Sequence, residues 1–263
     1  MKIVSSVILI LLFLSFTSKV ISQNLSEEEK YILTLQDSRT LGENDALLSY
    51  LESADNKIVL KALNALANIA DTSSVYKTSP YLEKLYNNKN TSVLLNKYAF
   101  YLGQTACDQS REKLSLMNYS ENENTDQSYP EIINSLGKTG NEEDMNYLIN
   151  IVSTKKFDEE LGKHVYRALS MSIARFALRK IKNEKSVDAL KQMANIEDSI
   201  VQRNIAFAFW RTGDKKLLDT AKQEIYTLCE SKDPQTRMWA YNAMGKLQDK
   251  LLLMYLLESY NSE

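Results

Sequence analysis

Asp233-Pro234-Gln235-Thr236-Arg237-Met238-Trp239-Ala240-Tyr241-Asn242-Ala243-Met244-Gly245-Lys246-Leu247 holds the signals of one complete helix. The Asp233 carboxylate suits the N-cap, where it accepts from orphaned backbone N–H groups. Pro234 suits the first helical position, where a missing donor costs nothing. Thr236, Ala240, Ala243, Met244 and Leu247 then share one face, and Trp239, Asn242 and Lys246 lie opposite. A partner helix is expected just upstream, from Lys215 to Glu230, with Ser231 to Asp233 as the turn.

Working back along the chain, the same pattern recurs. Asp198, Val201, Ile205, Ala208, Phe209 and Thr212 fill the slots one unit earlier, and Asp55, Ile58, Ala62, Ala65, Leu66 and Ile69 fill them near the start. Leu94, Tyr98, Tyr101 and Leu102 do so in a second unit, and Ile132, Ser135 and Leu136 in a third. The fourth is irregular, because Gly162 to Lys182 reads as one long helix. The small residues near the helix ends, Ala67, Gly103, Gly137, Ala174 and Gly245, with Trp210 in the equivalent slot, are spaced by 36, 34, 37, 36 and 35 residues. Units that short cannot close a core alone, so each must bury its apolar face on its neighbours. The fold expected is all-α: an α-solenoid of about six helix pairs with capping helices at both ends. Ser26 and Glu29 form a capping box for the first cap, which runs to about Ser38. Lys250 to Tyr260 is the apolar closing helix, and Ser120 to Ser128 is a polar loop that interrupts the period.

Composition agrees. The chain has three prolines and seven glycines in 263 residues, and strand-like alternation is missing. Residues 1–22 read as a secretory leader: Met1-Lys2, an apolar run from Ile3 to Phe16, then Val20-Ile21-Ser22 for cleavage. That run is shorter than the ~20 apolar residues of a spanning helix. Residues 23–263 are then an exported repeat domain, periplasmic or extracellular, with no membrane span. Without Lys2 and Lys19 it carries 30 basic and 34 acidic residues, which gives no prior for nucleic acid. Charge is uneven along it: Glu121 to Asp144 has seven acidic residues against Lys138, whereas Lys155 to Lys191 has ten basic against five acidic. Export permits disulfides, but the register puts Cys107 and Cys229 more than three units apart, far beyond the ~7 Å Cα limit of a bridge. Asn24, Asn90 and Asn118 fit the N-glycosylation pattern.

Conventional catalysis finds no constellation. His164 is the only histidine, so no His-based metal cluster can form, and two distant cysteines cannot make a thiolate zinc site. No phosphate-cradling glycine loop or nucleophile elbow occurs. Glu142-Glu143 and Asp158-Glu159-Glu160 sit at helix starts, where the macrodipole accounts for them. No catalytic residue, metal or cofactor is expected.

The register does single out a surface. Residues opposite the buried face point into the groove of a solenoid: Trp239, Asn242 and Lys246; Asn204, Phe207 and Arg211; Ala168, Met171 and Arg175; Glu131, Asn134 and Lys138. Lys97, Phe100 and Gln104, and Lys61, Asn64 and Asn68, take the same places in the earlier units. Lys138, Arg175, Arg211 and Lys246 would form a file of cations. Together with Asn134, Asn242, Phe100, Phe207 and Trp239 they are the candidate contacts for a protein or peptide partner. The competing account is local: a cation in a last helical turn gains ~0.3–1 kcal/mol from the macrodipole whatever the protein binds.

The aspartate-proline turn and the alanine-methionine-glycine helix end of Asp233 to Gly245 resemble the HEAT-repeat family, and the likeness extends over about Glu43 to Asp249. The basic residue expected soon after the turn is Arg237 here but Val59, Leu95 and Gln202 elsewhere, which weakens the case for a continuous internal salt-bridge ladder. The resemblance implies a non-enzymatic scaffold with a binding groove. Similar arrays precede cyclophilin-type prolyl isomerase domains in exported bacterial proteins, and Tyr31 to Leu102 looks like them, so an accessory role in envelope folding is the alternative. No cyclophilin motif follows. HEAT-like glycosylases grip DNA, but export and an acidic balance argue against nucleic acid here.

Overall fold

The structure, a computed structural model, describes residues 25–81, 84, 92–119, 128–248 and 254. The leader, Asn24, Asn90, most of the 120–128 loop and all of the closing helix but Met254 lie outside the described residues, as does the side chain of Asn118. The chain is an all-α helical solenoid and divides into two compact units, Met1–Ile69 and Ala70–Glu263.

In the first unit, α1 (Glu27–Asp37) packs on α3 (Asn56–Ile69), with the short α2 (Ala46–Ser49) between them in sequence, flanked by 3-10 turns. The Ser26–Glu29 capping box forms as expected: Glu29 N–H donates to Ser26 Oγ at 3.2 Å and Ser26 N–H to Glu29 Oε2 at 2.8 Å. Ile32, Leu35, Ile58, Ala62, Ala65 and Leu66 are buried. Glu29 is buried too, with Lys57 Nζ at 2.8 Å and Lys61 Nζ at 3.3 Å. Lys57 above all holds its carboxyl down at about 2.

The second unit has two layers. Its inner helices are α5 (Ser92–Thr105), α7 (Tyr129–Thr139), α9 (Glu159–Leu178), α11 (Ser199–Thr212) and α14 (Pro234–Leu247), each packed on the next. Outside them run α4 (Ser73–Lys77), α6 (Asp108–Tyr119), α8 (Glu142–Thr154), α10 (Glu184–Met193), α12 (Lys215–Asp219) and α13 (Lys222–Cys229). On α14 the buried residues are Thr236, Ala240, Ala243, Met244 and Leu247, the set the helical period selects. On α11, Val201, Ile205, Ala208, Phe209 and Thr212 are buried likewise. Two buried hydroxyl pairs seat α4 on α5: Ser74 Oγ with Tyr101 OH, and Thr78 Oγ1 with Tyr98 OH at 3.0 Å. Cys107 and Cys229 are free thiols; Cys229 is buried beside Met244 Sδ at 3.2 Å, and burial pushes its thiol up to about 12.

Glycine sets the closeness of the inner layer. A Cβ on Gly103 would stand 2.7 Å from Ser135 Cβ, and one on Gly137 would stand 2.6 Å from Ser172 Cα. These glycines are the small residues of the sequence period, and they let α5, α7 and α9 meet almost backbone to backbone.

Some expectations need correcting. The helix expected from Lys215 to Glu230 breaks into α12 and α13, since Thr220 Oγ1 donates back to Leu217 O at 2.8 Å and Ala221 N–H takes Leu218 O three residues back. A threonine hydroxyl that competes for helix carbonyls tightens and ends the turn. The long helix α9 spans Glu159–Leu178 rather than Gly162 to Lys182: Asp158 caps it by accepting from Leu161 N–H at 2.9 Å, and Lys180, with φ 66°, stops it. A ladder of charge also exists, but other residues carry it. Arg167 on α9 closes on Asp198, the N-cap of α11, and Arg203 on α11 closes on Asp233, the N-cap of α14, whereas Arg237 turns back to Ser231 O and Lys232 O. Pro130 stands where the preceding rung would need a cation, so the ladder stops there.

Candidate functional site

A groove of about 970 Å³ crosses α5, α7, α9 and α11 in the second unit. That size suits a ligand of several side chains. It lies over the first turns of the inner helices, because Asp158 and Ser128 begin α9 and α7 at one side of the layer and the stripes Glu131–Asn134, His164–Ala168–Met171 and Ile200–Asn204 follow at helical spacing.

Its walls combine apolar and acidic groups. Leu161, Met171 and Ile200 are apolar, and Ile200 is 39% exposed. Glu131, Asp158 and Glu160 supply carboxylates. Glu131 is oriented by Asn134 Nδ2 at 3.1 Å and by Ser135 Oγ, which donates at 3.0 Å. The guanidinium in the wall, Arg167, is committed: its Nε and Nη2 donate to Asp198 at 3.1 and 2.6 Å. Arg167 is the main reason the Asp198 carboxyl lies below the usual range, and the fork–fork pair leaves that cation neutralised. The charge still offered to the groove is therefore negative.

Of the candidates read from sequence, Asn134 alone lines this groove. Its neighbours in the register, Glu131, Ala168, Met171 and Asn204, line it as well, but Phe100, Phe207, Lys138, Arg175 and Arg211 lie farther along their helices, and Trp239, Asn242 and Lys246 are on α14, outside it. Asn204 is buried, with its amide donating to Arg167 O at 3.1 Å and Ser170 Oγ at 3.2 Å. Arg175 donates to Asn134 O at 2.8 Å and to Asn134 Oδ1. Arg179 does the same for Gly140 O and Gly137 O, so α9 satisfies the carbonyls at the end of α7. Lys138 sits 5.1 Å over the Phe100 ring, which also carries Lys97 at 4.9 Å. Burial lowers the Lys138 pKa, Glu131 opposes that, and Arg175 adds to it. Arg211 lies 4.8 Å over Trp210. Lys138, Arg175 and Arg211 thus each close on a ring or carbonyl of this chain.

Phe207, Trp210 and Trp239 form a half-buried aromatic cluster between α11 and α14. The two tryptophan rings stack at 4.6 Å, and Phe207 meets Trp239 edge-on at 5.2 Å. Asn242 and Lys246 are exposed. Sequence reasoning missed Asp158, Glu160, Leu161, His164 and Ile200 as groove residues. Extending the register one turn toward each helix start would have reached His164 and Ile200. Among the described residues no group of three or more His, Cys, Asp or Glu is placed to hold a metal, and no helix is long and apolar enough to cross a membrane.

No protein-family model matches the sequence, and no curated protein does. Among solved structures, an engineered protein of the Northeast Structural Genomics Consortium matches with a TM-score of 0.52 and 17% identity, over 85% of this chain and 99% of that one. A designed armadillo repeat protein in complex with the peptide (KR)4 matches with a TM-score of 0.50 and 16% identity, over 78% of this chain and 100% of that one. Identities that low establish the fold, a helical-repeat solenoid, and nothing finer.

Proposed function

We propose that this chain is an exported, non-enzymatic HEAT-like scaffold that holds an extended protein or peptide segment in the groove across α5, α7, α9 and α11, with basic side chains of the segment against Glu131, Asp158 and Glu160. The observation that carries this reading is the groove's chemistry: apolar walls from Leu161, Met171 and Ile200, and carboxylates left available because Arg167 is paired with Asp198. Extended segments suit a rigid stack of helices, which offers a long pre-formed surface at little ordering cost to itself. The designed armadillo repeat protein of similar fold holds a basic peptide, which supports the choice of ligand class.

Fluorescence anisotropy with a labelled Lys/Arg-rich decapeptide tests the reading. Met171→Arg places bulk and positive charge in the middle of the groove and should weaken binding at least about tenfold, or about 1.4 kcal/mol. Unchanged affinity in a folded Met171→Arg protein contradicts it. Export rests on the 1–22 segment; fusing it to a reporter that lacks a leader should carry the reporter out of the cytoplasm.

A further inference from the structure

The α11 stripe does not end at the groove. Ile200 and Asn204 line it, and Phe207 and Arg211 follow at the next helical positions on the same stripe. Arg211 differs from the other arginines of the inner helices. Arg167 and Arg203 bind aspartates, Arg175 binds Asn134 and Arg237 binds the carbonyls of Ser231 and Lys232. Arg211 has its Nε buried with no acceptor, and its guanidinium lies 4.8 Å over the Trp210 ring. Beside it Trp239 stacks on Trp210, with Phe207 at its edge. Asn242 and Lys246, one and two turns beyond Trp239, are exposed on α14.

A guanidinium held in plane by an aromatic ring has fixed its donor fork before any ligand arrives. The group that matches the fork is a carboxylate, which takes two parallel N–H bonds. Nε is closed off by the protein's own atoms, so the two Nη groups are the donors such a carboxylate would use. From these relations we propose that Arg211, Trp210 and Trp239 form a second recognition site that takes the carboxylate of a Glu or Asp side chain in the bound segment. This deepens the groove reading and rests on it for the rest of the segment. Arg211 is seven residues past Asn204, about 10 Å of helix rise, which about three residues of extended chain span. The segment is thus basic where it fills the groove and acidic about three residues away.

The chain's two tryptophans both belong to this cluster, so intrinsic fluorescence reads the site directly. Two peptides are compared, each with a Lys/Arg stretch followed three residues on by Glu or by Gln. The Glu peptide should bind about tenfold tighter and shift tryptophan emission; Arg211→Met should erase the difference while both peptides still bind. Acetyl-glutamate amide against acetyl-glutamine amide, titrated alone, probes the cluster without the groove, and only the glutamate should shift emission. If Glu and Gln peptides bind equally with silent tryptophans, the Arg211 site is overturned while the groove stands. If neither peptide binds but acetyl-glutamate amide shifts emission, the groove reading fails and the Arg211 site survives. Silence from both glutamate reagents overturns the site outright.

Discussion

Arg203 on α11 closes on Asp233, the N-cap of α14, with Nε at 3.0 Å from Oδ2 and Nη2 at 3.1 Å from Oδ1. One carboxylate thus both starts a helix and ties it to the preceding repeat, since Asp233 also accepts from Thr236 N–H and Thr236 Oγ1. Arg203, then Thr236, brings the Asp233 carboxyl down to about 2 from its ordinary 3.8.

Acid should therefore loosen this joint. The folded-state pKa lies below the unfolded one, so the native state holds fewer protons between them and stability falls as protons are added. The contribution is complete above about pH 3.8 and drains away as pH falls toward 2. Asp233→Asn should flatten that part of the stability–pH curve and lower stability at pH 7 by about 1–2 kcal/mol, which denaturant unfolding at a series of pH values measures.

The inner layer gives a steric prediction. Gly137→Ala sets a methyl 2.6 Å from Ser172 Cα, and backbone there cannot yield as a flexible side chain would. A loss of about 1–3 kcal/mol is expected in urea unfolding, with helical circular dichroism retained. Gly162→Ala, whose new methyl would meet Phe157 Cβ only at 3.4 Å, should cost nothing comparable.

Arg175 and Arg211 were equivalent in the sequence register, yet they should behave oppositely. Arg175→Glu removes the bond to Asn134 O and puts a carboxylate beside carbonyl oxygens, so a loss of about 2–3 kcal/mol is expected. Arg211→Glu breaks only the contact with Trp210, about 1 kcal/mol or less. Thermal unfolding of the two variants side by side distinguishes them.

That divergence marks what the sequence could and could not reveal. Faces such as Thr236, Ala240, Ala243, Met244 and Leu247 were legible because burial imposes a 3.6-residue period on residue type. Asp233 was legible as a cap because its chemistry is local. Arg167 and Arg203 were not legible as rungs, because each reaches a partner 31 or 30 residues away and nothing local marks the pairing. The cations at helix ends follow from the register, but whether each extends or folds back depends on a ring or carbonyl of the preceding repeat, or for Arg211 on Trp210 beside it. The acidic groove is not legible for the same reason: Asp158 and Glu160 carry the local signal of a helix start, and they come to line one groove only once α7, α9 and α11 are side by side.

Charge at the groove should control affinity. Glu160 is exposed on the first turn of α9, so Glu160→Lys changes the field with little effect on packing. Binding of the Lys/Arg-rich decapeptide should weaken about five- to tenfold at low salt, with the difference shrinking as ionic strength rises.

The most direct test of the groove is site-specific photocrosslinking. A photoreactive residue placed at Ile200, on the groove wall, should crosslink the bound Lys/Arg-rich peptide, and one at Lys185, exposed on the outer helix α10, should not. Crosslinking from Lys185 with none from Ile200 would place the segment on the outer layer and contradict the account.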